Sequence, residues 1–62
     1  MPITQRSSVP AGTHVFVVQK QDQQSGKLTE GVVKQILTNS SIHPRGIKVR
    51  LESGIVGRVQ KL

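Results

Sequence analysis

In Ile47-Lys48-Val49-Arg50-Leu51 two cations alternate with three aliphatic residues, and Arg58 follows after a short break. A period of two places Lys48 and Arg50 on one face of a strand and the aliphatics on the other. Cations on an open face suit one chemistry above others: they pair with phosphates and release the counterions condensed on a polyanion. The whole chain leans the same way. Nine Lys and Arg stand against three Asp and Glu, a net charge of +6 on 62 residues. So strong a field on so small a body favours polyanionic partners. The residues expected to contact nucleic acid are therefore Lys48, Arg50 and Arg58, with Arg45, Lys34 and Lys27 at the rim. His43 and Gln23 are candidate loop contacts. The plainer reading is that the outer faces of small sheets carry charge to protect their edges.

Other chemistries have fewer parts. The acids Asp22, Glu30 and Glu52 form no obvious pair across a cleft. His14 and His43 would serve as general bases only beside a nucleophile. Ser40 and Ser41 do precede His43, but serines crowd such loops as turn formers. The expectation is a non-enzyme. Two histidines and a carboxylate do not fall at metal-ligand spacing, and there is no cysteine, so neither a metal nor a cofactor is expected. Phe16 is the single residue among Phe, Tyr and Trp. Stacking of bases, proline-rich grooves and methyl-lysine cages all draw on aromatic side chains. That scarcity leaves duplex or structured RNA, or a protein, as the better partners. His43-Pro44-Arg45-Gly46 either offers His43 and Arg45 to a phosphate, or is a turn whose backbone Pro44 and Gly46 set.

Sixty-two residues make one domain with a small core. Without cysteine a secreted domain of this size would lack its usual staples, so a cytoplasmic location is expected. The N-terminus has no apolar stretch resembling a signal peptide, and Val15-Phe16-Val17-Val18 is too short to span a bilayer. No basic amphipathic helix suggests a membrane surface.

The elements that must position the cations read as strands. Residues 1–8 are polar and aperiodic and are expected to form a flexible tail, with one domain over 9–62. Residues 14–20 are rich in β-branched and aromatic types, which predicts a strand. A polar loop over 21–27 leads into a longer strand over 28–38, where Gly31 suggests a bulge or bend. A helix over 30–37 is disfavoured by Gly31, Val32, Val33 and Ile36. A loop over 39–46 then precedes strands at 47–51 and 55–61.

The last hairpin is specified in detail. A two-residue turn at Ser53-Gly54 would set Val49 opposite Arg58. A three-residue loop, Glu52-Ser53-Gly54, pairs Leu51 with Ile55, Val49 with Gly57 and Ile47 with Val59, so every inward position is apolar or Gly. A one-residue slip flips a whole strand, and the hydrophobic pattern selects this second register. Lys48 then faces Arg58 and Arg50 faces Val56. Four strands with one apolar face must curl up to cover it, which predicts an all-β fold, a small SH3-like barrel of four to five antiparallel strands. Its expected core is Val15, Val17, Val32, Ile36, Ile47, Val49, Leu51, Ile55 and Val59, with Phe16 or Val18 filling one end. Such an interior has little room for a small-molecule substrate.

Longer strings carry a resemblance. Pro10 and Gly12, Lys20, Asp22-Gln23, Ser25-Gly26-Lys27-Leu28-Thr29 and Gly31 are followed by Leu37 to Ser40, His43-Pro44, Gly46 to Leu51, Gly54 and Val56 to Val59. In this order they resemble the YwbE-like family of small bacterial proteins, over residues 10–60. The most specific string is His43-Pro44-Arg45-Gly46-Ile47-Lys48-Val49-Arg50-Leu51. The resemblance implies kinship with the KOW and SH3-like barrels of ribosomal proteins and transcription-elongation factors, and through them contact with RNA or a ribonucleoprotein. Fold kinship alone does not fix function. The alternative partner is an acidic protein, bound without nucleic acid.

Overall fold

The computed structural model describes residues 2–62. Strand β1 (His14–Val18) is followed by a 3₁₀ turn at Lys20–Asp22, then by β2 (Leu28–Ile36), β3 (Lys48–Leu51) and β4 (Val56–Lys61). Each strand pairs antiparallel with its neighbour in sequence, and β4 pairs back with β1. The four strands form one sheet that closes in a ring. Closure is the physical answer to a small two-sided sheet. It buries one face and leaves no long unpaired edge.

The inside is filled by Val9, Val15, Val17, Val33, Ile47, Val49, Leu51 and Val59, with Ile3, Ile36 and Ile55 packed against them. Alternation is strict where the sequence is strict: β3 buries Val49 and Leu51 and exposes Lys48 and Arg50. The hairpin register is the one selected by the hydrophobic pattern. Lys48 pairs with Arg58, Val49 with Gly57 and Arg50 with Val56. The Leu51 N–H donates to Ile55 and the Val59 N–H to Ile47. Gly54 has φ +95°, the left-handed geometry that such a three-residue loop requires. Two further glycines are spacers. A Cβ on Gly57 would lie 2.8 Å from Val17 Cγ2 and 2.8 Å from the Val18 carbonyl oxygen, so β1 and β4 approach only because it is absent. A Cβ on Gly31 would lie 2.6 Å from Leu51 Cδ1.

Three expectations need correction. Val32 is not in the core; Val33 is. The pairing of β2 with β3 slips between Val33 and Gln35, so an extra residue interrupts the alternation and Val33 and Ile36 both reach the interior side. Phe16 and Val18 do not fill an end of the core. With Val15 and Val17 fully buried, they face outward and are half-buried there.

Residues 2–8 are also not a loose tail. The Ile3 N–H donates to the Val59 carbonyl at 3.0 Å, and Ile47 donates to Ile3 at 2.9 Å. His43 donates to Thr4, Arg6 donates to Ser41, and Gln5 forms a bridge with Ile42. Ile3 supplies the reason, since it packs against a core short of apolar volume. Residue 1 lies outside the described residues.

Candidate nucleic-acid interface

The outward face of the ring is read across its strands. Leu28 on β2 pairs with Val18 on β1, Val18 with Arg58 on β4, and Arg58 with Lys48 on β3. The sheet therefore places Arg58 between an apolar residue and a second cation. Directly opposed residues in antiparallel strands have Cβ atoms about 5 Å apart, so Lys48 and Arg58 form a like-charge pair. Around them lies an open depression of about 820 Å³, lined by Val18, Lys20, Gln23, Arg45, Lys48, Val56, Gly57 and Arg58. Three loops and strands of different origin thus meet at one place. The 3₁₀ turn after β1 brings Lys20 and Gln23, the 39–46 loop brings Arg45, and the final hairpin brings Lys48 and Arg58.

Identifiable contacts hold the segments that carry these cations, and among the described residues only Arg58 of them is held by its own side chain. Arg58 is half-buried, and its Nη1 donates to the Gly46 carbonyl at 3.0 Å, which ties β4 to the loop that carries Arg45. His43 Nδ1 accepts the Arg45 N–H at 3.2 Å. That bond, with the Gly46 N–H donating to the His43 carbonyl, makes His43 a stay of the turn. The Lys48 N–H donates to Thr38 Oγ1 at 2.8 Å, while its ammonium group has no acidic partner among the described residues.

The expected contact residues separate into two groups. Lys48, Arg58, Arg45 and Gln23 come together in the depression. Arg50 shares their outward side, but its Nη1 bonds Gln35 Oε1 at 3.1 Å, across toward β2. Lys34 falls between Val33 and Gln35, where the β2–β3 register shifts, and Lys27 ends the loop before β2; neither lines the depression. Lys20 was missed by sequence reasoning, which placed it at the end of a strand. The signal that could have found it is the Gln19-Lys20-Gln21-Asp22 run, where β-branched residues give way to polar ones and the chain turns.

A match over residues 2–62 joins the chain to a family described as "Uncharacterized conserved protein (DUF2196)". The chain belongs to that family. Within it, the "Uncharacterized protein YwbE" of Bacillus subtilis (strain 168) is 55% identical over 58 residues, covering 94% of this chain and 89% of that protein. No solved structure matches the chain. The resemblance to YwbE-like proteins drawn from residues 10–60 thus holds over nearly the full length, and this member of the family is a small all-β domain.

Proposed function

We propose that this DUF2196 chain is a small binding module, an SH3-like (KOW-like) barrel that contacts RNA or a ribonucleoprotein of the translation or transcription machinery. It works in the cytoplasm, needs no cofactor and catalyses no reaction. Its contact is with phosphates, seated in the depression between β1, β3 and β4. One observation carries the reading. Lys20, Arg45, Lys48 and Arg58 converge on that depression, and among the described residues no carboxylate lines it. The like-charge pair in its lining costs some stability, and bound phosphate would offset that repulsion while releasing counterions. Arg50, Lys34 and Lys27 extend the positive field outside it.

The test is the salt dependence of RNA affinity, measured by fluorescence anisotropy. Four phosphate contacts give a log–log slope of about −3 on a single strand. Replacing Lys48 and Arg45 together by Glu should abolish binding without unfolding the chain, because both are exposed. Affinity that ignores salt, or that survives this double reversal, refutes the reading. A second reading has the apolar share of the lining in its favour. Val18 and Val56 lie among the cations and would suit an acidic peptide. Recovery of one protein after nuclease treatment, with no affinity for RNA, would favour it.

A further inference from the structure

Phe16 is the largest apolar side chain available to this chain, and no Trp or Tyr accompanies it. A domain of this size is short of core volume, and six of its eight fully buried residues are valines. Even so, Phe16 is turned outward on β1, where a buried aromatic would have contributed most to the core. It lies two residues along the strand from Val18, on the same outward side, and Val18 lines the cationic depression. At about 3.3 Å per residue the ring is about 7 Å from that lining residue along the strand. Its surroundings are partly cationic. Lys61 Nζ stands 4.9 Å from the ring centroid. His14 meets it edge-on, with centroids 5.4 Å apart, and is itself held by Glu30.

We infer that Phe16 is a stacking platform for one unpaired base of a single-stranded RNA whose neighbouring phosphates occupy the depression. The inference rests on the phosphate-binding reading above and narrows its ligand from nucleic acid in general to a strand with a free base. Lys61 is the present cover of the ring and is exposed near the end of the sheet. An exposed cation–π contact is worth about two- to fivefold in an equilibrium. Stacking a base on an aromatic ring contributes about five- to 150-fold in affinity. Exchange of Lys61 for a base is therefore favourable, and the displaced ammonium remains beside the strand to meet a phosphate. The base face is common to all four nucleotides, so binding discriminates single strand from duplex more than one sequence from another.

The experiment compares a short labelled oligouridylate with a labelled RNA duplex at one fixed salt concentration. Wild type, Phe16→Leu, Phe16→Trp and Lys48→Glu are titrated with each. Phe16→Leu should weaken the single strand at least fivefold and leave duplex affinity within twofold. Phe16→Trp should restore single-strand affinity. Its fluorescence, the only Trp signal in the chain, should be quenched as the base stacks. Lys48→Glu should weaken both ligands. The inference is overturned if Phe16→Leu leaves the single strand within twofold of wild type. It is also overturned if that variant weakens strand and duplex equally, or if Trp at position 16 is blind to binding. Failure of the wild type to bind either RNA, or indifference to Lys48→Glu, overturns the phosphate reading and this one with it.

Discussion

Replacing Lys48 by glutamine removes one of two positive charges that face each other across β3 and β4. The backbone bonds at this position do not depend on the side chain. The N–H still reaches Thr38 Oγ1, and the carbonyl still accepts from Leu37 and Thr38. The change therefore isolates the charge. Two unit charges about 6 Å apart in water repel by about 0.7 kcal/mol. Physiological salt, with a Debye length of about 8 Å, roughly halves that figure. The result, about 0.3–0.4 kcal/mol, falls inside the range measured for opposed like charges in sheets, about 0.2–1 kcal/mol. For a domain of this length it corresponds to a rise in Tm of about 3 °C. The assay is thermal unfolding followed by circular dichroism, repeated at about 1 M salt, where the Debye length of about 3 Å should erase the gain. The same variant should bind RNA more weakly, with a salt slope shallower by about 0.7. A Tm that falls, or a gain that persists unchanged at high salt, refutes the claim that repulsion at this pair is relieved by a bound anion.

Other consequences follow from close approaches and from the N-terminal segment. Gly57→Ala should destabilise more than Gly31→Ala, by about 3 kcal/mol against about 1 kcal/mol in urea titrations. At Gly57 the obstacle includes the Val18 carbonyl, whereas at Gly31 the nearest obstacle is a leucine methyl that can turn aside; equal costs would contradict this. Deleting residues 1–8 should strip hydrogen-exchange protection from the Ile47 and His43 amides, which donate to Ile3 and Thr4. Protection that survives the deletion would show that the segment does not hold the 39–46 loop in place.

The parts of this fold that were legible in the sequence are those where one face decides. In the β3–β4 hairpin the alternative register, with a two-residue turn at Ser53-Gly54, would set Arg58 opposite Val49 on the inward face, so Leu51, Val49 and Ile47 found their partners from pattern alone. The same logic failed in β2. Its apolar run, Val32-Val33, has no polar interruption to mark parity, and the register shift beyond Val33 is not announced by Gly or Pro at that point. Counting back by twos from Ile36 reaches Val32, and only the extra residue shifts the buried position to Val33. Val9 and Ile3 were missed for a different reason. Each is a lone aliphatic in a polar stretch, and its burial depends on contacts with residues far along the chain. Of the interface, Lys48 and Arg58 were legible because their register was. Lys20 was not, because its place depends on how the chain turns after β1. The outward aim of Phe16 was hidden within a run of four apolar residues.

Closure of the sheet on itself also governs how the chain acquires its fold. Because β1 pairs with β4 as well as β2, the first and last strands must find each other before the core is enclosed. The β3–β4 hairpin is local and forms cheaply, whereas the β1–β4 seam closes a loop of nearly the whole domain. Partial rings bury little, so intermediates with three strands have scant reason to accumulate. For a chain still being synthesised, strand after strand waits unsheltered until Lys61 has emerged, and the domain then folds in one late step.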